Sequence, residues 1–116
     1  MSNRSHDEFL DIGALEDIPV RGARVLKTAA GCVAVFRTAE DEVFAIDDRC
    51  PHKGGPLSEG IVHGRAVTCP LHNWVIGFED GVVQGADEGS VATYAARVEG
   101  GRVLVDAALM AKRNAA

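Results

Sequence analysis

A chain of 116 residues, 47% hydrophobic and 25% charged, has the size and make-up of one soluble globular domain and is too short for two. Its net charge of −5 argues against a nucleic-acid binder, which needs a basic face, and disfavours docking on anionic membranes. No stretch approaches the roughly 18 apolar residues of a membrane span, and the opening MSNRSHDEF lacks the apolar core of a signal peptide. The expectation is therefore a cytoplasmic protein with neither nucleic acid nor membrane as a partner.

In chain order, residues 1–8 read as a mobile tail, 9–107 as the domain and 108–116 as a second tail. A helical turn is expected near Leu15–Asp17, then strands from Arg24 to Ala30 and from Cys32 to Thr38 around Gly31. Val43 to Asp47 follows across the polar turn 39–42. Gly60 to Val62 and Arg65 to Thr68 flank a turn at His63-Gly64. Trp74 to Phe78 alternates with large residues on one face and runs into Asp80-Gly81 and Val82-Val83. Tyr94 to Glu99 and Arg102 to Asp106 surround Gly100-Gly101, a strong hairpin signal, and Ala107–Ala111 reads as a frayed helix. Eight to ten short strands with frequent glycine turns predict an all-β fold, a small sandwich or barrel.

Two runs stand apart from this pattern. Cys50-Pro51-His52 and Cys69-Pro70-Leu71-His72 each pair one thiol with one imidazole, with sixteen residues between His52 and Cys69. Both sit at strand ends that open into loops rich in glycine and proline, and hairpins bring two such loop tips side by side. Pro51 and Pro70 each remove a backbone donor and fix φ, which stiffens the tips. Two thiolates and two imidazoles suit structural Zn²⁺ and equally a [2Fe–2S] cluster of the Rieske type, held by two Cys on one iron and two His on the other. Zinc fingers usually pair Cys with Cys and His with His, whereas each loop here carries one of each, which favours the cluster. An odd count of three cysteines agrees with thiolates rather than a disulfide framework.

On these residues the chain resembles the Rieske-type ferredoxins, over roughly residues 10–106. The resemblance implies a Rieske β-sandwich or barrel with a cluster-binding subdomain of two hairpin loops. It also implies Cys50 and Cys69 as ligands of a buried ferric iron, and His52 and His72 as ligands of an outer iron that takes the electron. Two ferric ions, two sulfides and two thiolates carry no net charge, so reduction is easier than for an all-thiolate centre. Rieske potentials accordingly lie at about −150 to +300 mV rather than near −400 mV. The quinol-oxidising members carry an extra disulfide between the loops, at positions held here by Gly55 and Leu71, and a hydroxyl shortly after the second His, where this chain has Asn73 and Trp74. Those departures imply a low-potential carrier.

The run from Cys50 to Gly64, the run Cys69-Pro-Leu-His-Asn-Trp-Val-Ile and the loop Gly85-Ala-Asp-Glu-Gly89 are similar to the small subunit of assimilatory NAD(P)H nitrite reductase. That likeness implies a large catalytic partner subunit holding flavin, a [4Fe–4S] cluster and sirohaem, which reduces nitrite to ammonium. This chain lacks a dinucleotide-binding glycine fingerprint and a sirohaem ligand set, so it would relay electrons or shape the complex without making bonds. The alternative is a Rieske ferredoxin serving an aromatic-ring-hydroxylating dioxygenase. Of the other residues, Cys32 reads as buried core and Trp74 as packing with Ile76 and Phe78. Lys53 reads as solvated, His63 as a turn residue and His6 as inert tail. Asp47, Asp48, Glu59 and Asp87 read as solvated surface.

Overall fold

A computed structural model describes residues 9–28, 31–51, 54–71, 73–85 and 88–106. The strands are β1 (Phe9–Ala14), β2 (Ala23–Thr28), β3 (Gly31–Arg37), β4 (Val43–Asp47), β5 (Ile61–His63), β6 (Ala66–Thr68), β7 (Val75–Gly77), β8 (Val83–Gln84), β9 (Thr93–Tyr94), β10 (Ala96–Glu99) and β11 (Arg102–Asp106), with 3-10 turns at Leu15–Asp17 and Leu57–Glu59. They form three antiparallel sheets, ordered β1-β11-β10, β2-β3-β4-β9 and β5-β6-β7-β8. The expected all-β class therefore holds. Among the described residues no helix is long and apolar enough to cross a membrane.

β3 explains how three sheets share one domain. Its run Val33-Ala34-Val35-Phe36 has no polar face, and all four residues are fully buried. Such a strand must be covered on both sides. Val33 and Val35 pack with Val43, Ala45, Val103 and Val105 toward the sheet that holds β11. Ala34 and Phe36 pack with Ile46, Val62, Val67, Ile76 and Phe78 toward the β5–β8 sheet. Phe78 stacks on Phe36 with centroids 4.7 Å apart and on Phe44 at 5.4 Å. Each such ring or aliphatic side chain taken from water contributes about 1.5–3 kcal/mol. At the rim of the same joint, Arg65 reaches Glu42 at 2.6 Å and Glu79 at 2.8 Å.

Several sequence expectations change in the fold. Tyr94 to Glu99 is two strands, because β9 pairs with β4 whereas β10 pairs with β11, so the chain changes sheet at Ala95. The tight turn after β5 falls at Gly64-Arg65 rather than His63-Gly64, since His63 pairs with Ala66. β1 carries no clear alternation, and it forms because β11 offers a partner, Phe9 opposite Asp106 and Ala14 opposite Arg102. Cys32 is exposed, not buried. It shares the face of Ala34 but stands at the start of β3, paired with Lys27 of β2, in a hollow it shares with Asp47, Asp48, Arg49 and Gly54. The expected tails and the helix over Ala107–Ala111 lie outside the described residues.

Candidate metal centre

Both motif cysteines are rooted in the core. Cys50 is 3% and Cys69 1% exposed, and both belong to the apolar cluster under the β5–β8 sheet. Cys50 follows β4 by three residues and Cys69 directly follows β6. His52, His72, Lys53 and Asp87, like His6, lie outside the described residues. The described residues alone bring together no group of three metal-binding side chains, and the imidazole half of the expected ligand set rests on the sequence.

The two cysteine loops close in the same way. Cys50 N–H donates to Gly55 O at 2.8 Å, and Gly54 N–H donates back to Cys50 O at 2.8 Å. Cys69 N–H donates to Trp74 O at 2.7 Å, and Asn73 N–H donates back to Cys69 O at 3.1 Å. Each loop is thus a Cys-Pro-x-x-x-x hexapeptide pinned by its cysteine's own peptide groups. The fifth residue turns through a positive φ in both, +74° at Gly54 and +60° at Asn73. Glycine and asparagine are the residues that visit this region at least cost. That repeat, Cys-Pro with Gly or Asn four residues after the Cys, is legible in the sequence once the geometry points to it.

The loops also meet. A Cβ added to Gly55 would stand 3.3 Å from Cys69 Sγ and 2.7 Å from Leu71 Cδ1, so the second loop's thiol and leucine lie against the backbone of the first. A third segment bears on both: a Cβ at Gly89 would stand 3.2 Å from Pro51 Cβ and 3.5 Å from a ring carbon of Trp74. Trp74 is half-buried against the core cluster, in keeping with the packing role expected of it, although the strand itself spans only Val75–Gly77. His63 ends β5 with its Nε2 2.7 Å from Thr68 Oγ1, an exposed contact one residue before Cys69.

Two carboxylates expected to be solvated are instead engaged. Asp47 accepts the Tyr94 hydroxyl at 2.8 Å. Burial first, and that bond second, push the Tyr94 phenol up to about 12. Asp48 accepts from Ser58 twice, Oδ1 from the backbone N–H at 2.6 Å and Oδ2 from the hydroxyl at 2.8 Å. Single-residue reading misses both, because their partners lie 47 and 10 residues away. Farther out, the hydrogen bond from Arg65 holds the Glu42 carboxyl below its ordinary value.

Donor set and setting fit a small iron–sulfur group. Two buried thiols sit at the heads of loops closed by matched hydrogen bonds, and Gly55, bare of a side chain, lets Cys69 Sγ and Leu71 lie against the backbone of the first loop.

Comparison with known proteins agrees. The family profile of Rieske-like [2Fe–2S] domains matches residues 8–106. Over 107 residues the chain is 32% identical to the anthranilate 1,2-dioxygenase ferredoxin subunit of Burkholderia cepacia, covering 91% of this chain and 98% of that protein. It is 48% identical over 42 residues to the 4beta-methylsterol monooxygenase of Methylococcus capsulatus, which is 36% of this chain and only 11% of that protein. Among solved structures, a Mycobacterium tuberculosis protein provisionally assigned as an NADH-dependent nitrite reductase small subunit superposes with a TM-score of 0.74 at 27% identity. That superposition covers 84% of this chain and 92% of the other.

Proposed function

The chain belongs to the family of Rieske-like [2Fe–2S] domains, and from that premise we propose that it is the small subunit of a cytoplasmic assimilatory NAD(P)H nitrite reductase. It is a Rieske-type electron-transfer protein whose cofactor is a Rieske [2Fe–2S] cluster. When bound, that cluster supplies transfer of one electron at a time. In this reading Cys50 and Cys69 hold the inner iron and His52 and His72 the outer one.

The chain's own residues then have distinct tasks. Cys50 and Cys69 present their thiolates from the core, where the surrounding apolar side chains exclude water. Hydrogen bonds across each loop hold the two cysteine backbones in place, which limits rearrangement between redox states. Gly55 and Gly89 keep three segments close enough to wrap one site. A large partner subunit would take hydride from NAD(P)H and carry out the bond chemistry on nitrite.

The observation that carries the nitrite reductase reading is the run Asn73-Trp74-Val75-Ile76, with Gly89 lying against Trp74 and against Pro51. The likeness to the Mycobacterium tuberculosis small subunit supports it. A second reading, a ferredoxin serving an aromatic-ring dioxygenase, is supported by the full-length likeness to the Burkholderia cepacia ferredoxin subunit.

Growth separates the two. A strain deleted for this chain is grown on nitrite or on ammonium as sole nitrogen source, complemented with the parent or with Cys50→Ser. The proposal expects failure on nitrite alone, rescued only by the parent. Normal growth of the deletion strain on nitrite would favour the ferredoxin, and rescue by Cys50→Ser would make the domain structural in the complex.

A further inference from the structure

The two cysteine loops share their inner hydrogen bonds and differ in what holds their outer ends. Beyond Cys69 and Trp74 the second loop continues as the β6–β7 ladder, with Thr68 opposite Val75 and Val67 opposite Ile76. Among the described residues no ladder continues the first loop. Pro56 leads into the 3-10 turn Leu57–Glu59, which stands where β7 stands in the second loop. A helical turn does not offer its peptide groups sideways to a neighbouring strand, so another link must span the ends.

Asp48 makes that link. It lies two residues before Cys50, as Val67 lies two before Cys69. Its own N–H is tied to Cys32 O at 2.9 Å, at the start of β3. From that anchor its half-buried carboxylate takes both the backbone N–H and the hydroxyl of Ser58, at 2.6 and 2.8 Å. Both oxygens thus grip one residue, and the segment carrying Cys50, Pro51, Gly54 and Gly55 is closed between two fixed points. Charge-assisted bonds of this kind are the stronger class in proteins.

We infer that Asp48 and Ser58 form a latch that replaces the missing ladder and positions the first cysteine loop for cluster retention. Asp48 is a positioning residue acting through the loop that bears Cys50. This inference rests on the Rieske reading of Cys50 as a ligand.

The test compares cluster-loaded parent, Asp48→Ala, Ser58→Ala and Ser58→Thr for the rate of iron release to a chelator and for the EPR signature of the reduced cluster. Asp48→Ala should release iron about tenfold faster or more, as expected from losing charge-assisted bonds, and its g-values should shift. Ser58→Ala, which keeps the backbone N–H, should fall between it and the parent, and Ser58→Thr should restore the parent's behaviour. Arg65→Ala breaks the ion pairs to Glu42 and Glu79 and gauges a general loss of stability. It should leave release and g-values unchanged.

A parent-like release rate and spectrum in Asp48→Ala overturn the latch, as does equal acceleration in Arg65→Ala. If Asp48→Ala yields no folded protein, parent-like release from Ser58→Ala overturns it instead. Cys50→Ser run alongside reports on the premise: a retained native Rieske signal there removes the ligand assignment, whereas its loss beside an unaffected Asp48→Ala removes the latch alone.

Discussion

Gly55 and Leu71 meet across the two cysteine loops so closely that a Cβ on the glycine would stand 2.7 Å from Leu71 Cδ1 and 2.9 Å from its Cγ. These are the two positions at which the resemblance drawn from the motifs places a disulfide in the quinol-oxidising members of the family. Here a bare Cα under an aliphatic side chain brings the loops into contact without a covalent link.

That contact predicts strong coupling between the two positions. Gly55→Ala should destabilise the protein by about 1–2 kcal/mol, the usual cost of one methyl too many in a packed place. Leu71→Ala, at a half-exposed site, should cost little alone and should return most of that loss when combined with Gly55→Ala. A denaturant double-mutant cycle measures the pair. Strict additivity would contradict the contact.

Gly60 makes a harder case of the same kind. An added Cβ would overlap the Thr68 carbonyl and sit 2.8 Å from Val67 Cγ2, and Thr68 immediately precedes Cys69. A leucine side chain can swing aside, whereas a strand backbone cannot without breaking its ladder. Gly60→Ala should therefore cost about 3 kcal/mol, clearly more than Gly55→Ala. Equal melting midpoints for the two variants would show that β5 and β6 yield more readily than their pairing implies.

Tyr94 is the only tyrosine, so its ionisation can be read alone by phenolate absorbance. The native midpoint should lie near 12 and fall to about 10 in denaturant. A raised folded-state value means the fold favours the neutral phenol. The stability it contributes is complete below the unfolded value and is lost as pH rises through the native one. Tyr94→Phe should flatten that alkaline decline. Asp47→Asn should lower the midpoint only partway, because burial is the larger cause. A native midpoint near the denatured one would remove the Tyr94–Asp47 bond as described.

Cys32 is exposed while Cys50 and Cys69 are buried. A thiol reagent should label one cysteine per chain in the folded, cluster-loaded protein and all three after denaturation. Cys32→Ser should abolish the native label without changing the visible spectrum. A second native equivalent would place one of the motif thiols within reach of solvent.

Where a feature has a local cause, the sequence alone determined it. β4 and β11 occupy the spans their apolar runs predict, and Gly100-Gly101 turns the β10–β11 hairpin, because turn chemistry and strand pattern act over a few neighbours. The Cys-Pro pairs identify the candidate centre in the same local way, and the histidines of the motifs are known from their spacing alone. Tertiary structure decided what depends on partners distant in the chain. Val33 to Phe36 reads as an apolar run, yet only two covering sheets bury both its faces, and their cover stops short of Cys32 at the start of the strand. The pairing of β1 with β11, the division of 93–99 between two sheets and the grip of Asp48 on Ser58 were likewise settled there. Strand partners, and whether a carboxylate finds a donor or water, follow from which segments the packed core brings together, and no window of neighbouring residues contains that information.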